Sequence, residues 1–291
     1  MSLRKVTVIC LCYNQGRFVN EAIESVLRQT YPEIELLLVD DASADDSVSV
    51  ITRYVREHPQ IKFFPLTENS GNCKAFNHAL YHATGDYVID LAADDILLPE
   101  RVARGVEALE NAGEQYGVNF TDALAITEEK KTLYRHSDRF PHASIPEGDI
   151  YRELISRFFI CSPTMMFRTS VIRSLGGYDE TLRYEDFDFW IRSSRNFYYC
   201  YTPDVLVKKR VVRNSMSHRQ FTFFNPQLRS TFTVCEKILA LNRNTAEQRA
   251  LHERILYEMR VCIRLLHFPL LFDYARLYFR TFKRNAGRKA S

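Results

Sequence analysis

Residues 6–16, Val-Thr-Val-Ile-Cys-Leu-Cys-Tyr-Asn-Gln-Gly, run from an apolar, strand-like stretch straight into a polar turn. Phe18, Ala22, Val26 and Leu27 then recur at helical spacing as far as Gln29, and Tyr31-Pro32 stops that helix. The alternation repeats through the first hundred residues. Residues 34–39 read as a second strand ending at Asp40-Asp41, and Val48, Ile51 and Val55 mark the helix after it. A short strand at 61–64 precedes a helix carrying Ala75, Phe76, Ala79 and Leu80, which closes near Gly85. Residues 87–91 are a fourth strand, ending at Ala92-Ala93-Asp94-Asp95. Pro99 suits the first turn of a helix bearing Val102, Val106 and Leu109.

Strands separated by helical segments predict βαβ units, hence a Rossmann-like, mainly parallel α/β sheet flanked by helices. Sheets of this kind bind ligands beyond the carboxyl ends of their strands. Tyr13-Asn14, Asp40-Asp41 and Asp94-Asp95 each fall just after a predicted strand, so all three polar clusters should converge on one rim.

The middle of the chain is more mixed. Strands are expected at 118–121 and 164–167, a short helix at 170–175 ending in Gly176-Gly177, and a further helix from Glu185 that carries Phe187, Trp190 and Ile191 on one face. From about 219 the pattern becomes long-helical: Phe232, Cys235 and Leu239, then Leu251, Ile255, Met259 and Ile263. A soft boundary near 216 follows from that change.

Composition narrows the class. The formal net charge of +3 over 291 residues is too small to argue for nucleic acid. Seven cysteines cannot all pair, and none shows CxxC spacing. The start carries no long apolar leader, and no run approaches the roughly 18 apolar residues of a spanning helix. A cytoplasmic, reduced protein is the expectation. No GxSxG, HExxH, P-loop or GxGxxG pattern occurs, which sets aside the common hydrolase, zinc-protease, NTPase and dinucleotide readings.

Carboxylates carry most of the chemistry. A hard divalent cation needs oxygen ligands and usually takes one or two from protein, so Asp94-Asp95 on a strand-end loop suits a metal–diphosphate site. Equally, Asp95 could cap the following helix. Asp40-Asp41 could accept hydrogen bonds from a nucleobase or ribose, although Ser43, Asp45 and Asp46 also form a helix-capping cluster. Glu185, Asp186 and Asp188 open a helix, where the macrodipole favours anions, and leave room for a general base. Arg210, Arg213 and His218, after the apolar run 205–207, could neutralise a phosphate leaving group or simply be surface charges.

Taken in order, the blocks at 8–14, 22–32 and 35–43 resemble the opening of a family 2 glycosyltransferase with the GT-A fold. Glu68-Asn69-Ser70-Gly71, Asn77, Gly85-Asp86-Tyr87, Ala93-Asp94-Asp95, Gly176-Gly177-Tyr178-Asp179-Glu180 and Glu185-Asp186 continue the resemblance over about 1–217. It implies a catalytic domain at 1–216, with a nucleotide-binding half to about 115 and an acceptor half at 116–216, followed by a helical region at 217–291. It also implies inverting transfer of a sugar from a nucleotide diphosphate donor, a UDP-sugar on this pattern, to a glycan or lipid-linked acceptor, with Mn²⁺ or Mg²⁺ as cofactor. Tyr13, Asn14, Asp40, Asp41, Asn69, Gly71 and Asp94 would then bind nucleotide, Asp95 with Asp94 the metal, Asp186 would be the base positioned by Glu185, and Arg210, Arg213 and His218 would close over the diphosphate. Three departures stand out: Ala93 where the family usually has an acid, Leu11-Cys12 before the Tyr-Asn pair, and Lys74 after Asn69.

The tail interleaves aromatics and leucine with Arg276, Arg280, Lys283, Arg284, Arg288 and Lys289, with no acid after Asp273. That pattern suits a helix on an anionic membrane surface, or one packed on the catalytic domain or a homodimer partner. A reading from another class is a non-catalytic nucleotide-sugar-binding relative or scaffold; a nucleotidyltransferase would want a glycine-rich basic loop that residues 12–17 do not supply.

Overall fold

The computed structural model describes residues 3–140, 144–212 and 226–288. Its first half is the expected alternation: β1 (Val6–Cys12), α1 (Gly16–Leu27), β2 (Ile34–Asp40), α2 (Ser47–Glu57), β3 (Lys62–Pro65), α3 (Asn72–His82) and β4 (Tyr87–Ala92). A two-residue strand β5 (Ile96–Leu97) leads into α4 (Arg101–Ala112). Then come β6 (Tyr116–Ile126), β7 (Thr132–Arg135), α5 (Tyr151–Ser156), β8 (Met166–Arg168), α6 (Thr169–Ser174), α7 (Asp186–Ser194) and β9 (Tyr198–Arg210). Three long helices end the described chain: α8 (Pro226–Leu241), α9 (Thr245–Arg264) and α10 (Phe268–Arg288).

The strands form one sheet in the order β3-β2-β1-β4-β8-β6-β9-β5, with β7 on β6. β1 to β4 are parallel, and so is the long β6–β9 pair; β8, β7 and β5 run antiparallel to their neighbours. Alternation along β1 explains why nearly all of it is apolar. Val6, Val8, Cys10 and Cys12 pack with Val19, Ile23 and Ile51 on one face, while Ile9 joins Phe76 and Phe167 on the other. Both faces are covered, so neither can be polar.

The second core continues into the C-terminal helices. Phe187 and Phe189 share it with Phe232, Ile238, Leu251, Tyr274 and Leu277. All seven cysteines are buried and unpaired. Among the described residues no helix is long and apolar enough to cross a membrane.

Two local expectations shift. Pro99 lies in the turn before α4 rather than within it, because the helix begins at Arg101 with Glu100 flanking it. β9 is thirteen residues long although only its apolar stretch 205–207 stood out. At Pro203-Asp204 the ladder steps from Thr121↔Thr202 to Asp122↔Val205 and accommodates the two residues as an irregularity.

Candidate active site

Register brings the three strand-end clusters to one level. Cys12 pairs with Asp40 and Leu11 with Ala92, and the chain leaves each strand just beyond. Backbone bonds carry the alignment past the strands: Asp41 N–H donates to Cys12 O at 2.9 Å, and Ala93 N–H to Leu11 O at 2.9 Å. Tyr13, 48% exposed, stands open on this rim.

Asp40 and Asp41 divide their work. Asp40 is fully buried and accepts from Ser43 N–H at 2.8 Å and Ser43 Oγ at 2.6 Å, closing its own turn. Asp41 crosses to the next loop: Oδ1 accepts from Ser70 N–H (2.7 Å) and Ser70 Oγ (3.0 Å), and Oδ2 from Gly71 N–H (2.9 Å). Gly71 has φ 85°, the left-handed region that favours glycine, which lets its N–H turn to the carboxylate. The Asn69 amide reaches Asp41 O at 3.4 Å. Asn14 is likewise tied down, its Oδ1 accepting from Ala44 N–H and its own N–H donating to Ser43 Oγ, both 2.8 Å. These residues shape one edge of the rim, where Asp41 Oδ2, with one bond, keeps a lone pair for another donor.

Asp94 and Asp95 follow β4. Asp95 is buried and its Oδ1 accepts the Arg210 backbone N–H at 2.8 Å, so it does not cap α4. Burial raises the pKa of both carboxyls; the Asp94 charge pushes Asp95 further, while Lys209 and Arg210 pull back on each. Adjacent carboxylates that disfavour one another's charge form a donor set that a divalent cation would relieve.

Arg210 corrects the sequence expectation of a phosphate-closing residue. Its side chain is fully buried, with Nη2 on Glu21 Oε2 (2.9 Å), Nε on Asp94 O (2.9 Å) and Nη1 on Glu128 O (2.8 Å), and its guanidinium lies 4.5 Å from the Phe18 ring centroid. Each of its three nitrogens is bonded, tying β9 to α1, to the Asp94 backbone and to the Glu128 carbonyl. Arg213 and His218 lie outside the described residues.

The neighbouring Lys209 was not singled out from sequence. Burial opposes its charge, but Cys161, Asp95 and Asp186 more than compensate, so its pKa is raised. Lys209 therefore sits within electrostatic reach of Asp95 from β4 and of Asp186 from α7.

Asp186 opens α7, half-buried, with Oδ2 accepting from Ser162 Oγ at 2.6 Å and Oδ1 from Phe187 N–H at 2.8 Å. Ser162 belongs to a short 3₁₀ turn, Ser162–Thr164, held from beneath by the wholly buried Arg101, whose Nη2 donates to Thr164 O at 2.6 Å. Glu185 accepts from the Asn72 amide at 2.7 Å; burial, then Asp186 and Asp90, raise its pKa. Asp90, inside β4, is another acid the sequence reading passed over. It accepts from Tyr178 Oη at 3.1 Å, and burial together with Asp186 raises its pKa. An acid in an apolar strand beside a buried tyrosine was the available signal.

The loop before α7 is braced from both sides. Gly177 has φ 84°, and a Cβ there would meet Asn77 Oδ1 at 2.4 Å, the same oxygen that accepts Tyr178 N–H at 2.8 Å. From α8, Ser230 Oγ accepts Arg183 N–H (2.9 Å), Thr231 bonds Tyr184 Oη (2.6 Å), and Lys237 pairs with Asp179 and Asp188. Asp188 is thus a structural anchor, buried on Lys237 and Arg192.

The family model for glycosyl transferase family 2 matches residues 7–176. The chain belongs to that family. Over 239 residues this glycosyltransferase is 32% identical to EpsE of Bacillus subtilis (strain 168), a glycosyltransferase by name, covering 80% of the chain and 83% of the relative. Among solved structures it resembles residues 1–349 of S. aureus TarS in complex with UDP-GlcNAc, with a TM-score of 0.68 at 20% identity over 86% of this chain and 71% of that one. It also resembles the mannosyltransferase PcManGT from Pyrobaculum calidifontis in complex with GDP-Man and Mn²⁺, with a TM-score of 0.69 at 19% identity over 95% and 74%. The fold is GT-A, with the helical C-terminal region attached to it. As a family 2 glycosyltransferase the protein is an enzyme, which sets aside the scaffold reading.

Proposed function

We propose that this glycosyltransferase moves a sugar from a nucleotide diphosphate donor, a UDP-sugar, to a hydroxyl of a glycan or lipid-linked acceptor, with inversion at the anomeric carbon and with a divalent cation, Mn²⁺ or Mg²⁺. Its setting would be cell-surface polysaccharide synthesis at the cytoplasmic face of a membrane. The observation that supports this reading most is the register that brings Asp40-Asp41 and Asp94-Asp95 to one rim, with Lys209 in electrostatic reach of both Asp95 and Asp186. The donors held by TarS and PcManGT support it as well.

Tyr13 would stack on the base, with Asp41 accepting from it and Asp40, Asn14, Asn69 and Gly71 fixing that edge. Asp95 and Asp94 would hold the cation, which would take its remaining ligands from phosphates and water. When bound, such a cation stabilises negative charge on the departing diphosphate. Lys209 adds a fixed positive charge beside it. Asp186, held by Ser162 and positioned by Glu185, takes the proton of the acceptor hydroxyl. The acceptor oxygen bonds the anomeric carbon as the bond to the phosphate oxygen breaks and its electron pair leaves with the nucleotide. Attack from the opposite face needs no covalent sugar intermediate.

Nucleotide sugars screened by thermal stabilisation with Mn²⁺ should reveal the donor. Titrated calorimetrically, the wild type should bind that donor at least about tenfold tighter with Mn²⁺, and Asp95→Ala should lose the enhancement. Undiminished metal dependence in the variant would remove Asp95 from the site. Lys209→Met should raise the donor KM about ten- to a hundredfold, the worth of one charge-assisted contact to phosphate, with the melting temperature little changed. An unaltered KM would show that Lys209 does not face the donor.

A further inference from the structure

α10 carries two stripes. Leu270, Tyr274, Leu277 and Thr281, at i, i+4, i+7 and i+11, are buried against the rest of the protein. Phe268, Phe272 and Phe279 lie on the opposite side at 52%, 64% and 67% exposure, in line with Arg276, whose side chain is 82% exposed. Leu266, in the turn that leads into the helix, is exposed too. A helix with one apolar stripe is accounted for by its core contacts; the second stripe is not.

We propose that this outer face of α10 lies on an anionic lipid bilayer, its phenylalanines entering the acyl boundary and its basic side chains meeting the headgroups. The proposal deepens the lipid-linked acceptor reading, on which it rests for its purpose but not for its geometry. Charge selects the occupant. From Phe268 onward the sequence holds six Lys or Arg and one acid, and that acid, Asp273, is paired to Arg229 of α8. Arg276 lies 4.0 Å from Asp273 and Arg280 pairs with Glu236 of α8 at 2.9 Å, but the segment keeps a net charge of +5, and arginine stems can lie along apolar surface while their heads stay wet. A second copy is the poorer occupant, because a twofold contact would bring together two segments of the same net positive charge. Through α8, which holds Arg183, Tyr184 and Asp188 in place, the docked helix would be joined rigidly to the loop that presents Asp186.

The full chain, without donor or acceptor, is to be sedimented with phosphatidylcholine vesicles with and without phosphatidylglycerol. Binding should require the anionic lipid and weaken as salt rises. Phe272→Ser with Phe279→Ser should lower partitioning at least about tenfold per phenylalanine, the order expected for losing one inserted aromatic side chain, with an unchanged thermal melt. As a second readout, Phe272→Trp should be quenched by brominated acyl chains in those vesicles. Partitioning that ignores the two serines, or a tryptophan untouched by the quencher, would overturn the proposal. So would a dimer in analytical ultracentrifugation that the same serines dissociate, since a second copy would then occupy the face. None of these outcomes bears on sugar transfer, which the donor-binding measurements test separately.

Discussion

Asp186→Asn is expected to lower sugar transfer by about 10²–10⁴-fold, the range for losing a positioned general base. Asparagine keeps the size of the side chain; its oxygen can still accept Phe187 N–H and its amide N–H can donate to Ser162 Oγ, so the start of α7 should survive. What disappears is the lone pair that can take a proton from an attacking hydroxyl. Donor binding should stay within a few-fold of wild type, because the proposed nucleotide contacts come from the ends of β1, β2 and β4 and not from α7. Measuring kcat alongside a calorimetric donor titration separates the two quantities. Transfer at the wild-type rate would show that another group accepts the proton, with Glu185 and Asp90 the next to examine.

Glu35→Gln should cost about 3 kcal/mol of stability at neutral pH without touching the cleft. Glu35 is buried at the start of β2 and gathers four hydrogen bonds from three elements. Oε2 accepts from Thr7 Oγ1 (2.7 Å) and Thr84 N–H (2.8 Å), and Oε1 from Lys62 Nζ (2.9 Å) and Thr84 Oγ1 (3.1 Å). Burial alone would raise its pKa, but Thr84, Lys62 and Thr7 outweigh that and hold it at about 2, against an ordinary 4.5. A depressed pKa means that the stabilisation is fully present above 4.5 and is lost as pH falls through 2. Denaturant unfolding at pH 7 should therefore show the full difference between wild type and Glu35→Gln, and the two midpoints should approach each other towards pH 2. Equal midpoints at neutral pH would show that the carboxylate contributes nothing net.

The strand-end clusters were legible because apolar runs, turn residues and helical spacing are local properties of the chain. Asp40-Asp41 and Asp94-Asp95 could be set on one rim from strand order alone, and the register bears that out. Asp186 came from a resemblance of motifs, since nothing local separates an acid that serves as base from one that caps a helix. Ser162 and Arg101 were beyond reach: the first matters through Asp186, 24 residues away, and the second through a turn 63 residues away.

The pair Lys209 and Arg210 marks the boundary most sharply. Sequence determined that cations follow the apolar stretch 205–207 and that an α/β sheet would end in acids; it did not determine which cation faces those acids. Successive residues of a strand point to opposite sides, so a single step of register decides between them. Only when β9 is laid between β6 and β5, with Arg210 N–H on Asp95, does Arg210 turn inward to Glu21 and Lys209 come within electrostatic reach of Asp95 and Asp186. That choice belongs to tertiary structure, because it is made by contacts more than a hundred residues apart and by no preference within the strand.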